Sequence, residues 1–227
     1  GCINDVTNLK NLLINNKYYD QSQLSIMTDK EPINSALYPS KQNILKQMNA
    51  LVNFANSTTQ NVYLFLAYSG HGSYVSDRNG DESDGRDEVL CPVDCQTNGY
   101  IIDDDIRANL INKLGTNATL VTLIDACHSG TMLDLRYTYL CDGKQNVTVQ
   151  NNITDTSCRV IMISGCRDDQ TSSDAYITTS RTYQGAMTAA FLANYNGIIS
   201  TENLVIQMRN WLKIGKYDQI PQLTTVQ

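Results

Sequence analysis

The feature that most constrains the fold is a set of four short apolar runs that alternate with helical patterns. Each run is continuous rather than alternating, which is typical of strands buried on both faces of a parallel sheet. The runs occupy 24–28, 61–68, 119–125 and 159–164. Since helical spacing separates them, the sequence predicts an α/β fold in which helices flank the sheet.

Five helices are predicted from apolar residues that recur three and four positions apart. The second of them has an N-cap candidate in Ser40, and the last has a terminator in Gly215. The helical patterns cover 9–13, 40–55, 106–114, 187–194 and 204–212.

Composition excludes several classes of function. The 227 residues carry a formal net charge of −6, which disfavours nucleic acid and anionic membrane as partners. Seven scattered cysteines without a CxxC pair, and only two histidines, argue against a zinc site and a disulfide scaffold. The sequence therefore predicts a reducing, cytoplasmic location, and it contains no apolar run of membrane-spanning length.

Two glycine turns follow two of the predicted strands. The strand at 61–68 runs into 69-SGHG-72, and the strand at 119–125 runs into 125-DACHSG-130. Because the carboxyl ends of parallel strands lie on one edge of a sheet, the turns are expected to share a cleft. A histidine and a cysteine there are the minimum needed for catalysis by a thiol nucleophile, and glycines leave backbone amides accessible to an oxyanion.

Side-chain alternation suggests which groups act together. His128 adjoins Cys127 and is expected to point to the opposite face, so His71 is the favoured partner of the thiol. Asp125 is expected to point the same way as Cys127. A carboxylate there repels a thiolate, so Asp125 is better suited to recognising a positively charged substrate side chain.

At these residues the chain closely resembles the metacaspases, the caspase-like cysteine peptidases of plants, fungi and protists. The resemblance implies a caspase-like α/β/α sandwich with a mostly parallel central sheet, and the short linker is similar to that of type I members. The matching blocks are 1-GCINDV-6, 67-AYSGHGS-73, 84-DGRDEVLCPVD-94, 101-IIDDDI-106, 124-IDACHSGTMLDL-135, 162-MISGCRDDQTSSDA-175 and 216-KYDQIPQLTT-225.

The resemblance also assigns roles at the predicted cleft. It implies that Cys127 attacks the carbonyl after an Arg or Lys and that His71 manages the protons. It implies an oxyanion hole made by the amides of Gly72 and Cys127. The pocket for the basic side chain would then contain a set of polar residues from three blocks: Cys2, Asp5, Ser69 and Asp125.

Calcium is the cofactor that the resemblance implies, as an activator. Its ligands would be the carboxylates of Asp87, Asp103 and Asp104 and the backbone carbonyl of Asp134. Three carboxylates and a carbonyl suit a hard, oxygen-preferring cation. The alternative for the acidic stretch 77–88 is an ordinary solvated loop.

The chain is interpreted as one domain with a large region at 1–140, an exposed linker at 141–157 and a small region at 158–227. Lys144 in the linker is the candidate for self-cleavage of a zymogen, and the alternative is an ordinary surface lysine. The resemblance further implies an apolar strand, and a prodomain, before residue 1. Without that strand a hydrogen-bonding sheet edge would be exposed.

Together these features predict a monomeric, calcium-stimulated endopeptidase that cleaves protein substrates after Arg or Lys. The alternatives are a catalytically silent scaffold with the same cleft, or a calcium-binding interaction module. The presence of both His71 and Cys127 favours the peptidase.

Overall fold

The structure is a computed structural model that describes residues 1–77, 85–177 and 182–226. Its helices are α1 (Cys2–Asn15), α2 (Lys41–Asn56), α3 (Cys95–Asn98), α4 (Asp103–Asn109), α5 (Ala186–Asn194) and α6 (Thr201–Ile214). Its strands are β1 (Val62–Ser69), β2 (Gly72–Ser76), β3 (Arg86–Leu90), β4 (Ile101–Ile102), β5 (Ala118–Asp125), β6 (Tyr137–Tyr139), β7 (Val147–Val149), β8 (Arg159–Ser164), β9 (Asp174–Ile177), β10 (Thr182–Gly185) and β11 (Gln222–Thr225).

The main sheet has six strands in the order β1-β5-β8-β11-β6-β7. Its first three strands are parallel, and their register pairs Ser69 with Asp125 and Ile124 with Ser164. The remaining strands continue the sheet in antiparallel pairs. Three of the four strands predicted from apolar runs are therefore confirmed, and they form the parallel part of the sheet.

The sheet has an apolar core on each face. Leu120 and Ile124 of β5 pack in the cluster that includes Met48 of α2, whereas Leu123 packs in the cluster that includes Met187 of α5. Alternate residues of one strand thus bury themselves under helices on opposite sides. This arrangement confirms the expected α/β/α sandwich.

The helices follow their sequence patterns closely. The Ser40 hydroxyl accepts a hydrogen bond from the Asn43 amide at the start of α2, and α6 ends at Gly215 as predicted. The pattern at 106–114 forms α4 followed by a 3-10 turn, Ile111–Lys113, instead of one helix. Within the described ranges, no helix combines the length and apolar character that crossing a bilayer requires.

The predicted strand at 24–28 is wrong. These residues have no regular secondary structure; they follow a 3-10 turn, Gln21–Gln23, and line the same groove as Tyr63 and Phe65 of β1. In the described part of the chain, no strand pairs with the outer edge of β1. The apolar run therefore lacks the backbone partner that a strand needs.

Two smaller sheets and one hairpin lie outside the sequence prediction. Strands β2, β3 and β4 form one sheet, and β9 and β10 form another. The segment 141–157, interpreted as a linker, contains β7, which pairs with β6. Lys144 is exposed in the connection between these two strands, next to Gly143, whose φ is +77°.

Candidate active site

The two glycine turns lie side by side because β1 and β5 end in register. Ser69 pairs with Asp125, so His71 and Cys127 each lie two residues beyond a paired position. The Gly70 amide donates a hydrogen bond of 3.2 Å to the Asp125 carbonyl and continues the contact past the strands. The structure thus brings together the two turns that the sequence placed on one edge.

Gly72 packs its backbone directly on Cys127. A Cβ atom at Gly72 would stand only 2.1 Å from the Cys127 carbonyl oxygen, so any other residue would force the two turns apart. The glycine is needed for this close approach rather than for an unusual φ angle. Its position brings the start of β2 next to the cysteine.

The two histidines have different surroundings. The Nδ1 atom of His128 bonds to the Asp168 carbonyl, and the ring lies edge-on to Tyr74 at 5.2 Å between centroids. The His71 ring is exposed, while its carbonyl accepts hydrogen bonds from the Cys91 amide (3.1 Å) and the Tyr68 hydroxyl (2.9 Å). The His128 ring is thus held by structural contacts. The His71 backbone is fixed by hydrogen bonds, and its ring remains at the surface.

Cys127 is half-buried and contacts one residue that the sequence did not single out. The backbone amide of Ser172 donates to the Cys127 Sγ at 3.2 Å, and the thiol faces the Ser172 carbonyl at 3.8 Å. A thiol that serves only as apolar filler is expected to pack among aliphatic groups. Here the sulfur lies among polar backbone groups.

Asp5 is buried because of its place on α1. It lies on the same helical face as Leu9 and Leu13, which pack in the core. Its carboxylate accepts hydrogen bonds from the Ser69 hydroxyl (2.5 Å) and from the Gly185 amide (2.9 and 3.0 Å). Burial raises the pKa of Asp5 to about 6, since desolvation outweighs these donors.

Asp125, at the end of β5, is also held by uncharged donors. The Ser172 hydroxyl donates to Oδ1 at 2.6 Å, and the amide and hydroxyl of Thr188 donate to Oδ2 at 2.8 Å each. Burial raises the pKa of this carboxyl as well. Cys2, the other predicted pocket residue, is exposed at the start of α1.

Gly185 lies between the two acids. A Cβ atom there would stand 2.1 Å from Asp125 Oδ2 and 3.0 Å from Asp5 Oδ2, so both carboxylates pack closely against this glycine. Their hydrogen-bond partners in the described structure are uncharged hydroxyl and amide groups. The two acids are therefore buried next to each other with uncharged hydrogen-bond donors.

The four predicted calcium ligands, unlike Asp5 and Asp125, are not gathered around one point. Asp87, Asp103 and Asp134 are buried and Asp104 is half-buried. The Asp103 carboxylate accepts hydrogen bonds from the Glu88 amide (2.6 Å) and the Asp104 amide (2.8 Å).

The Asp134 carbonyl already accepts a hydrogen bond from the Arg107 guanidinium. Across residues 1–77, 85–177 and 182–226, no three His, Cys, Asp or Glu side chains are gathered so as to hold a metal ion. These residues therefore do not fit a complete calcium site as they are placed. Residues 78–84 of the predicted acidic stretch lie outside the described part of the chain.

Sequence reasoning missed three residues of the pocket: Ser172, Gly185 and Thr188. Ser172 and Thr188 contact Asp125 across 47 and 63 positions of sequence. Ser172 lies in a block that carried the family resemblance, but no charge, glycine turn or spacing distinguished it from its neighbours. No local signal could have identified these contacts.

Comparison with known proteins gives a consistent result. The family "Metacaspase, peptidase C14 domain" matches residues 1–136. Metacaspase-1 of Eremothecium gossypii is 36% identical over 99% of this chain and 59% of its own length. Metacaspase-1A of Neurospora crassa is 36% identical over 99% of this chain and 58% of its own length.

The chain thus spans about three fifths of the length of these curated relatives. Among solved structures, protein GSU0716 of Geobacter sulfurreducens is similar in fold, with a TM-score of 0.56 and 24% sequence identity. That match covers 83% of this chain and 74% of the other.

Proposed function

The chain belongs to the metacaspase family of C14 peptidases, and we propose that it is a cysteine endopeptidase that cleaves after Arg or Lys. The observation that carries this proposal is the meeting of the two turns. The Ser69–Asp125 register and the contact of Gly72 with Cys127 bring the histidine turn against the cysteine turn. Protein or peptide chains with a basic residue before the scissile bond are the proposed substrates.

The proposed reaction has two halves. The Cys127 thiol gives its proton to His71, and the sulfur attacks the scissile carbonyl carbon while amide N–H groups of Gly72 and Cys127 stabilise the oxyanion. The C–N bond breaks as His71 donates a proton to the leaving amine, which leaves an acyl thioester on Cys127. Water, deprotonated by His71, then hydrolyses the thioester and regenerates the thiol.

The specificity proposal follows from the two acids beside Gly185. A guanidinium or ammonium group that reaches Asp5 and Asp125 would pair with carboxylates whose hydrogen-bond donors are uncharged, and it would have to displace part of the packing around Gly185. The same carboxylates would repel an aspartate side chain in a buried site, where like charges cost several kcal/mol. Preference for Asp, as in caspases, is therefore not expected.

Calcium stimulation is part of the proposal, with Asp87, Asp103, Asp104 and the Asp134 carbonyl as candidate ligands. Its support is the chemistry of the donor set, which suits calcium. Because the described positions do not converge, binding would require these groups to move, including displacement of Arg107 from the Asp134 carbonyl.

Self-cleavage at Lys144 is also proposed. The exposure of this lysine at the tip of the β6–β7 hairpin supports it, since exposed loop tips are preferred sites of proteolysis.

We also propose that the protein is a monomer located in the cytoplasm. All seven cysteines lie in the described parts of the chain and are free thiols, as expected in a reducing compartment.

One assay tests the function directly. Fluorogenic peptides ending in Arg, Lys or Asp are offered with and without millimolar calcium to the wild type, to Cys127→Ala and to the control Cys95→Ala. We expect calcium-stimulated cleavage after Arg or Lys, loss of about 10³-fold or more in Cys127→Ala, and retention in Cys95→Ala.

Other outcomes identify which part is wrong. Cleavage after Asp would contradict the pocket assignment, and cleavage by Cys127→Ala would contradict the nucleophile assignment. Insensitivity of the wild type to a chelator would remove the calcium role. A folded protein that binds peptide and cleaves none under any condition would be the scaffold.

A further inference from the structure

One residue contacts both halves of the proposed site. The Ser172 hydroxyl donates to Asp125 Oδ1 at 2.6 Å, while the Ser172 amide donates to Cys127 Sγ at 3.2 Å. The side chain therefore engages the pocket acid, and the backbone of the same residue engages the sulfur. The two hydrogen bonds share one Cα atom, so a displacement of the side chain is transmitted to the amide.

The segment around Ser172 is held by a buried glutamine. The Gln219 amide nitrogen donates to the Gly165 carbonyl (3.0 Å) and the Ser172 hydroxyl (3.3 Å), and its oxygen accepts from the Ser173 amide (2.8 Å). The side chain of Gln219 thus anchors the segment from behind. Asp125 is the remaining partner that can change its charge when a substrate binds.

We propose that Ser172 is a positioning residue that couples occupancy of the pocket to the orientation of the Cys127 sulfur. The inference deepens the proposed function and rests on it, because it takes Cys127 as the nucleophile and Asp125 as a pocket acid. The Ser172 side chain touches no reacting atom, and its backbone amide contacts the sulfur. It acts through Asp125 on one side and through its own amide on the other.

The charge of Asp125 provides the physical link. Burial raises the pKa of this carboxyl, and a guanidinium bound beside it favours the ionised form. A carboxylate accepts a stronger hydrogen bond from the Ser172 hydroxyl than a neutral acid does. A basic side chain in the pocket therefore strengthens the hydrogen bond from Ser172 to Asp125 and holds the Ser172 amide on the sulfur. Its positive charge offsets the repulsion between the Asp125 carboxylate and the sulfur, so the reactive thiolate is favoured.

The experiment measures the nucleophile without any peptide cleavage. The full chain is treated with iodoacetamide, and alkylation of Cys127 is followed by peptide mass spectrometry with and without millimolar methylguanidine. We expect methylguanidine to accelerate alkylation of the wild type about fivefold, the factor that one hydrogen bond supplies. Ser172→Ala should abolish the acceleration, and Ser172→Thr, which retains the hydroxyl, should restore it.

Ser173→Ala is the matched control, because it makes the same change at the neighbouring exposed residue. It should respond to methylguanidine as the wild type does. In Asp125→Asn, the further change Ser172→Ala should have no additional effect on the alkylation rate. Thermal unfolding of each variant checks that the fold is intact.

Three results would overturn the inference: no acceleration in the wild type, equal acceleration in Ser172→Ala, or a failure of Ser172→Thr to restore it. Kinetics with an Arg peptide separate this inference from the proposed function. Active enzyme without the methylguanidine effect would refute only the coupling. If the proposed function and the coupling are both correct, Ser172→Ala should lower kcat more than it raises KM, because the defect lies in the nucleophile.

Discussion

Aspartates of the pocket and aspartates near β3 and α4 are buried to a similar degree, but the two groups have different neighbours and hydrogen-bond donors. Asp5 and Asp125 come from a helix and a strand far apart in sequence, and both pack against Gly185. Asp87, Asp103 and Asp134 are equally hidden from solvent, but in the described chain they form no group that could hold a metal. Burial alone therefore does not make a binding site.

The difference lies in which donors each group uses. In the pocket, uncharged hydroxyls and amides from distant elements hold the two carboxyl groups in place. In the second group, Asp103 accepts the amide of its neighbour Asp104 and that of Glu88, and the Asp134 carbonyl accepts from Arg107. We therefore expect the first group to pair with a substrate cation, and we expect the second group to bind calcium only after its donors are displaced.

The largest effect should come from the pocket. Asp125→Asn is expected to lower kcat/KM for an Arg peptide by about 10³-fold, since losing one partner of a buried ion pair costs about 3–5 kcal/mol. Steady-state kinetics measure this, with Asp105→Asn on α4 as the control acid. A loss smaller than tenfold would show that Asp125 does not contact the substrate cation.

An intermediate effect should appear as pH dependence of substrate binding. Because the pKa of Asp5 is raised to about 6, KM for an Arg peptide should rise about tenfold between pH 7 and pH 5 as this carboxylate is protonated. The measurement is KM against pH, at constant calcium. In Asp5→Asn the change should disappear; if it persists, another group controls binding.

The stability of the ligand-free protein should respond to pH in the opposite direction to substrate binding: lowering the pH weakens binding but favours the folded state. The folded pKa of Asp5 lies above the unfolded value of 3.8, so the folded state binds more protons between about pH 4 and pH 6. The contribution of Asp5 to stability is present below this window and is lost as pH rises through the folded pKa. Denaturant unfolding at several pH values, compared with Asp5→Asn, measures that contribution.

The smallest effect should come from the second group of aspartates. Asp103→Asn is expected to raise the calcium concentration for half-maximal activity about fivefold, because ligand charge tunes calcium affinity. The ratio of Arg to Lys cleavage should not change, since Asp103 is not a pocket residue. A changed ratio, or an unchanged calcium response, would contradict the distinction between the two groups.

The site shows where sequence reasoning reaches its limit. The turns carrying His71 and Cys127 were predictable because each follows a continuous apolar strand, and parallel strands end on one edge. Asp125 was predicted from its alternation with Cys127, and Asp5 was identified by the family resemblance. Ser172, Gly185 and Thr188 were not, since their roles depend on contacts that no local pattern encodes.

Secondary structure has the same limit. The run at 24–28 has strand composition, but in the described structure it pairs with no strand. β1 is the edge of the described sheet, and its outer side is unpaired. A strand is stabilised by hydrogen bonds to another segment, so composition alone cannot determine it. Helices satisfy their own hydrogen bonds, which is why the patterns of α2 and α6 predicted them well.

The sequence by itself determined the alternating strands and helices, the two glycine turns and the acidic character of the candidate sites, because periodicity, glycine and charge act locally. Only the tertiary structure decided which acids meet, which histidine remains at the surface and which residue links the thiol to the pocket. The physical reason is separation along the chain: the Gly185 amide reaches Asp5 across 180 positions, and the Ser172 hydroxyl reaches Asp125 across 47. Such contacts form only when the layers of the sandwich pack together.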